Sequence, residues 1–178
     1  MFDNSRAWFL SIAILGSVNA YANQEVGSGT IQFDGVLLLE ECVVDAQSAV
    51  QNIHIGDFAS SIFTQRDSVS PAKGFSIVLK DCTAQIKGTQ ILFSGDTDND
   101  NPDLLALRGG GTDTMATGIG IELLDESGAA IKLNQQTGQF SLKPGNNTLN
   151  FQLRYKSTLP QVTAGDASAV MYFDMVYQ

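Results

Sequence analysis

Short stretches in which apolar and polar residues alternate recur along most of the chain, and they restrict its fold more than any other feature. The clearest is the last stretch, where Ala169, Met171, Phe173, Met175 and Tyr177 alternate with Ser168, Val170, Tyr172, Asp174 and Val176. Because successive side chains of a β-strand point to opposite faces, this period of two predicts a half-buried strand. After residue 22, no segment keeps the 3.6-residue period of a helix.

Further strand patterns are separated by polar or glycine-rich turns. The predicted strands after residue 42 lie at 44–55, 75–79, 89–93, 104–107, 119–124, 130–133, 140–142, 149–155 and 167–178. An acidic loop at 96–103 and a glycine-rich turn at 108–114 interrupt the series. Many short strands with regular turn signals, and no internal repeat, predict one all-β sandwich domain.

The first 22 residues have the features of a secretory signal peptide. Arg6 supplies the positive charge of its N-terminal region, and residues 8–18 are mostly apolar. Ala20 and Ala22 form a small-x-small cleavage signal. The apolar run is too short to span a bilayer comfortably as a permanent helix. We therefore expect cleavage after Ala20 or Ala22, with an uncleaved anchor as the alternative, and an exported chain.

Charge excludes two classes of partner. The net charge is −9, with no basic cluster to offset it. Such a chain is not suited to bind nucleic acid or an anionic membrane surface, which both attract basic patches.

The two cysteines, Cys42 and Cys82, predict a disulfide. Export places the chain in an oxidising compartment, where a pair of cysteines is normally bonded. Two free buried thiols are the alternative. A zinc site is less favoured, because two cysteines and one histidine do not complete four ligands without carboxylates.

Catalytic and metal-binding patterns are weak throughout. The one histidine, His54, lies between two isoleucines, where a structural or exposed strand position is expected. The acidic loop 96–103 lacks the glycine and glutamate of an EF-hand. The glycines at 109–111 are not followed by the Lys-Ser/Thr of a phosphate loop. We expect no enzyme activity, no metal and no cofactor.

An alternating strand also precedes the first cysteine. One face carries Ile31, Phe33, Gly35 and Leu37, and Gln32 and Asp34 lie on the other. A strand near a chain end either completes its own sheet or pairs with another chain. On the pattern alone, both outcomes stay open.

Several segments together resemble chaperone–usher pilins of the type 1 fimbrial class. They are the alternating strand with Gly35, Cys42 followed by Val-Val-Asp, Lys80-Asp-Cys82, the segments 101–107, 118–125 and 153–156, and the ending 173–178. No single motif is decisive, but their order and spacing match over residues 29–178.

The resemblance implies an incomplete immunoglobulin-like β-sandwich that lacks its last strand, with an N-terminal donor-strand extension. Residues 1–22 would be the signal peptide, 23–37 the donor-strand arm and 38–178 the pilin domain. A periplasmic pilus chaperone would first fill the groove left by the missing strand. At an outer-membrane usher, the arm of a neighbouring pilin subunit would then replace it, building a fimbria on the cell surface that supports adhesion.

The resemblance also implies roles for individual residues. The family's disulfide maps onto Cys42 and Cys82, and the donor strand onto Ile31, Phe33, Gly35 and Leu37. The wall of the acceptor groove and the chaperone contact map onto Met171, Phe173, Met175, Tyr177 and Gln178, with the terminal carboxylate as the chaperone's anchor point.

Three alternatives remain at the level of sequence. The chain is a minor accessory or terminating subunit of the same fibre, a carbohydrate-binding adhesin domain, or a secreted β-sandwich enzyme. Tip adhesins of this system are expected to be longer, two-domain chains, and the isolated His54 argues against an enzyme.

Overall fold

The structure is a computed structural model of the 178-residue chain, and it describes residues 42–108 and 114–178. The signal peptide predicted at 1–22 and the arm predicted at 23–37 lie outside the described residues. So do the four donor residues Ile31, Phe33, Gly35 and Leu37.

Eight strands and two short helical turns make up the described part. The strands are β1 (Val43–Val44), β2 (Lys73–Cys82), β3 (Gly88–Ser94), β4 (Ile119–Asp125), β5 (Ala130–Ile131), β6 (Phe140–Ser141), β7 (Gly145–Ser157) and β8 (Tyr172–Tyr177). The helical turns are α1 (Ala46–Ala49) and a 3₁₀ turn at Ser60–Ile62.

The strands form two antiparallel sheets. The larger has the order β1-β2-β7-β4-β5, and the smaller has the order β6-β3-β8. The long pairing of β2 with β7 sets Phe75 opposite Phe151 and Ile77 opposite Leu149. These pairs put apolar side chains on one face of the sheet, because alternate residues of both strands share that face. The predicted all-β class is confirmed.

The core lies where the apolar faces of the two sheets meet. Ile77 and Leu79 of β2 and Ile91 and Phe93 of β3 are fully buried. The ring of Phe151 in β7 meets that of Phe93 edge to face, with centroids 5.1 Å apart. Such pairs contribute about 0.5–1.5 kcal/mol beyond the area they bury. The core therefore joins the two layers of the sandwich.

The strand β4, between β7 and β5, is buried on both of its faces. Ile121 and Leu123 belong to the core, while Gly120 and Glu122 lie on the opposite face. Leu104 covers that opposite face, and a Cβ added at Gly120 would meet its Cβ at 3.0 Å. Glycine at this position therefore allows the 104–105 segment to approach the sheet closely.

The prediction of a strand over 44–55 is wrong after Val44. The chain turns instead into α1, whose first turn is capped by Asp45 through a 3.2 Å hydrogen bond from the Gln47 amide. The ammonium of Lys80 contacts Asp45 and lowers the pKa of its carboxyl. Ser48 is buried and accepts a 2.9 Å hydrogen bond from the Val78 amide. These polar contacts between side chains and backbone favour a helical turn that apolar periodicity does not reveal.

Two further strands are shorter than predicted. The 104–107 segment makes only isolated bridges, in which Leu105 pairs with Ile121 and Thr97. The last strand begins at Tyr172, although alternation begins at 167. Just before this stretch, residues 163 and 166 pair with 117 and 115 in isolated bridges, and within it the Ser168 carbonyl accepts a 2.6 Å hydrogen bond from the Arg108 amide.

Candidate functional site

A groove of about 1110 Å³ with an apolar floor opens between the two sheets. One wall is the C-terminal segment, with Ala169, Met171 and Phe173. The other wall is the segment after α1, and the floor is formed by core residues of both sheets. Floor residues are Phe75, Ile77, Phe93, Ile121, Leu153 and Tyr155.

The strand β8 forms an edge of the smaller sheet within the described residues. There it pairs with one strand, β3, in a register that places Phe93 opposite Phe173 and Ile91 opposite Met175. The hydroxyl of Thr89 also donates a 3.1 Å hydrogen bond to the Val176 carbonyl. An antiparallel edge strand directs part of its N–H and C=O groups away from its neighbour. At Tyr172 and Phe173 the groove thus lies beside the free edge of β8, a backbone able to accept a further strand.

The two faces of β8 differ in burial. Phe173, Met175 and Tyr177 are half-buried and pack against the core, whereas Tyr172 is 67% exposed and Val176 is 40% exposed. This is the alternation that the sequence predicted for the strand.

The structure brings only part of the predicted groove wall into the groove. Met171 and Phe173 line it. Met175 and Tyr177 lie on the same face of the strand outside the groove lining, and the Tyr177 hydroxyl donates a 3.1 Å hydrogen bond to the Cys42 carbonyl. The Gln178 carbonyl accepts hydrogen bonds from the amides of Lys87 and Gly88 at 2.8 and 3.2 Å. A contact of these residues with a chaperone or donor strand stays a prediction.

The disulfide between Cys42 and Cys82 is confirmed. The two sulfur atoms are bonded, and both residues are buried, with 4% and 5% of their surface exposed. The bond joins the residue before β1 to the last residue of β2. It therefore holds the start of the wall that follows β1 against the larger sheet.

The second wall of the groove contains residues that the sequence analysis missed. Ile53, Ile55 and Phe58 line the groove in a segment outside the assigned strands. The Phe58 ring lies edge-on to the Tyr155 ring, with centroids 6.1 Å apart. The sequence did contain a signal for this wall, the alternation of Ile53 and Ile55 on either side of His54, but we interpreted it as part of an ordinary strand.

Gly56 is required by the shape of this wall. Its φ of +137° lies in a region that L side chains rarely adopt, and an added Cβ would come within 2.8 Å of the Phe58 ring. A larger residue would therefore displace Phe58 from the groove.

Two carboxylates of the groove lining lie near Tyr155. Asp57 and Asp166 belong to its lining, and no lysine or arginine is among the described residues there. The Tyr155 hydroxyl donates a 3.0 Å hydrogen bond to the Ala167 carbonyl. Burial raises the pKa of Tyr155, and the negative charges of Asp166 and Asp57 raise it further.

The polar candidates from the sequence analysis form no reactive arrangement. His54 is exposed and lies 3.6 Å from Asp57. In the acidic loop, Asp98 accepts hydrogen bonds from the amides of Asp100 and Asn101, as in a local turn. In residues 42–108 and 114–178, no three His, Cys, Asp or Glu side chains are grouped as metal ligands. No helix in those ranges has the length and apolar character to cross a membrane.

Comparisons with known proteins all identify one class. Residues 31–178 match the family model described as fimbrial protein. The chain is 48% identical over 146 residues to the fimbrial-like protein YcbU of Escherichia coli K12, covering 81% of each chain. It is 39% identical to the fimbrial subunit type 1 of Salmonella typhimurium, covering 86% of this chain and 84% of that one.

A solved chaperone–usher pilus, analysed for the uncoiling of its rod, has a similar fold. Its subunit superposes with a TM-score of 0.65 at 26% identity, covering 86% of this chain and 97% of that chain.

Proposed function

The chain belongs to the fimbrial protein family, and we propose that it polymerises by donor-strand exchange. The family makes it a structural subunit of a chaperone–usher pilus and a component of the cell surface, not an enzyme. Its incomplete immunoglobulin-like sandwich is the fold of these pilins. The finer proposal is that its groove accepts the N-terminal arm of a neighbouring subunit, and that the resulting fibre supports cell adhesion.

The observation that carries this proposal is the position of the groove beside β8. An inserted strand would pair with the free edge of β8, which borders the groove at Tyr172 and Phe173, and would place alternate side chains over Phe75, Ile77 and Phe93. One inserted strand therefore does two things. Its backbone forms hydrogen bonds with the unpaired N–H and C=O groups of β8, and its side chains cover the apolar floor of the groove.

The arm at 23–37 has the pattern that such a groove needs. Ile31, Phe33 and Leu37 alternate with polar or small residues, and Gly35 falls in the same series. Burying each large side chain contributes about 1.5–3 kcal/mol before the cost of ordering the arm. Glycine in the series permits a close approach of the two backbones.

Two further partners belong to the same proposal. A subunit with an open groove exposes apolar side chains and an unpaired strand edge, which promote aggregation. We expect a periplasmic chaperone to cover the groove with a strand of its own until an outer-membrane usher delivers the subunit to the fibre.

Deletion of residues 23–35 tests the exchange directly. With the chaperone co-expressed, we expect the shortened chain to form a soluble chaperone–subunit complex, because the groove is intact. It should fail as a donor, so fibres should be lost when it is the main subunit supplied. The measurements are chaperone co-purification and fibre yield by electron microscopy.

A point variant, Gly35→Arg, tests the same step while keeping the full length of the arm, because it changes only the donor face. It should also stop polymerisation while leaving chaperone binding unchanged. If the shortened chain instead folds alone as a stable monomer, the domain is complete without a donor and the proposal is wrong.

A further inference from the structure

The charge of the groove lining is one-sided. Its described residues include Asp57 and Asp166, with no lysine or arginine. His54 also lies in the lining, but it is charged only when protonated. An inserted strand therefore meets the negative charges of Asp57 and Asp166 in a groove whose described lining has no lysine or arginine.

Both carboxylates lie close enough to Tyr155 to act on it. Asp166 accepts hydrogen bonds from the amide and the hydroxyl of Ser168, at 3.1 and 2.6 Å, and these fix its side chain beside the groove. Asp57 belongs to the opposite wall and is 96% exposed, 3.6 Å from His54. Both raise the pKa of Tyr155, the floor residue between the two walls, although burial is the larger cause.

The chain's own arm is poorly matched to this charge. Residues 23–37 include Glu25 and Asp34 and contain no lysine or arginine. Glu25 precedes the apolar positions and Asp34 lies between Phe33 and Gly35, so the arm brings two negative charges and no positive one to a junction. A junction between two copies of this chain therefore places like charges together.

We propose that this groove selects, as its preferred donor, an alternating apolar arm that carries a lysine or arginine, over residues 23–37 of a second copy. The inference rests on the proposed function and names the chemistry of its partner. A charge pair about 10 Å apart in water changes affinity by roughly 2-fold. Two such pairs, converted from repulsion to attraction, should change it by about 3–10-fold at low salt.

The test measures binding of labelled donor peptides to the full chain. The chain is diluted from urea into buffer at pH 8 with one of three peptides: residues 23–37, its E25Q/D34N form or its E25K/D34K form. Bound peptide is followed by fluorescence anisotropy at 20 and 500 mM NaCl. We expect the lysine peptide to bind about 3–10-fold tighter than the native one at 20 mM, with the neutral peptide between them. At 500 mM the difference should fall below about 2-fold, because salt screens charges beyond the Debye length.

Two acceptor variants locate the effect. D57N/D166N should bind all three peptides within about 2-fold of one another at low salt. D100N/D103N removes the same number of charges in the loop before Leu104, outside the groove lining and outside β8, and should preserve the wild-type order. Circular dichroism checks that each variant is folded, and the salt dependence of the wild type tests the inference without any variant.

The outcomes distinguish a failure of the charge preference from a failure of donor-strand exchange. Equal binding of the three peptides to the wild type, or an unchanged order in D57N/D166N, overturns the charge preference and leaves donor-strand exchange standing. If none of the peptides binds, while a Phe33→Asp peptide behaves identically, both the proposed function and the charge preference are wrong.

Discussion

At the scale of single residues, Glu122 shows how the outer face of the larger sheet carries a buried charge. Its side chain is 7% exposed and meets two cations on the neighbouring strand β7. The Arg154 Nε atom lies 2.6 Å from one carboxylate oxygen, and the Lys156 Nζ atom lies 2.9 Å from the other. Removing a carboxylate from water is costly, but here both of its oxygens accept charge-assisted hydrogen bonds.

Glu122→Gln should destabilise the chain measurably. The change leaves Arg154 and Lys156 without their shared anion, although both are 20–30% exposed and water would partly solvate them. We expect a loss of about 1–3 kcal/mol in the free energy of unfolding, less than for a fully buried pair. Urea unfolding followed by circular dichroism measures it.

The control is Asp103→Asn, which breaks a more exposed ion pair. Asp103 lies 3.4 Å from Lys132, and both side chains are more than half exposed. This change should alter the free energy of unfolding by at most about 1 kcal/mol. Equal losses in the free energy of unfolding for the two variants would show that the cluster of Glu122, Arg154 and Lys156 stabilises the chain no more than a surface ion pair does.

At the scale of elements, β8 combines two functions on its two faces. Its inner side chains pack on the core and the groove, while its outer side chains face solvent. Phe173→Ser should therefore weaken both the fold and donor binding, since a half-buried aromatic ring is lost from the groove wall. We expect about 1–3 kcal/mol of lost stability and at least 10-fold weaker binding of the 23–37 peptide, by urea unfolding and anisotropy.

Val176→Ser is the matched control on the same strand. Val176 is 40% exposed on the outer face and is not part of the groove lining. It should change peptide binding by less than about 2-fold. If the two variants weaken binding equally, the effect comes from the strand as a whole and not from the groove.

The elements also show where prediction from sequence succeeds. Most of β7 was predicted, as a strand over 149–155, and the structure places its alternate apolar residues Leu149, Phe151, Leu153 and Tyr155 toward the core. Period-two alternation is strong there because the strand is long and has one face on the core. The family resemblance, in turn, predicted an acceptor groove beside the last strand, and the structure has Met171 and Phe173 in the lining of a groove there.

Sequence prediction fails where side chains bond to distant backbone. The α1 turn depends on Asp45 capping its own helix and on Ser48 accepting from the Val78 amide, 30 residues away. The second wall of the groove depends on Gly56 and Phe58, whose contact with Tyr155 follows from tertiary packing. Neither contact produces a periodic pattern of apolar residues in the sequence. The alternation at 44–55 was therefore interpreted as a strand.

At the scale of the whole molecule, the described domain is an unequal sandwich. Five strands face three across the core, and the groove lies at the edge of the smaller sheet. If the absent strand is what limits stability, supplying it within the same chain should convert a polymerising subunit into a stable monomer. An intramolecular donor acts at millimolar effective concentration when its linker spans the sites, and it therefore excludes donors from other copies.

The corresponding prediction uses the full chain extended after Gln178 by a short Gly/Ser linker and a second copy of residues 29–37. We expect a monomer by size-exclusion chromatography even though the N-terminal arm is retained, because every groove is already filled. Its free energy of unfolding should rise by several kcal/mol, since three large side chains contribute about 1.5–3 kcal/mol each and ordering the arm offsets part of that. The control extension carries Phe33→Asp in the second copy and should leave both polymerisation and stability unchanged. Equal stability of the two extended chains would mean that the groove does not recognise the arm's alternating side chains, whatever its position beside β8.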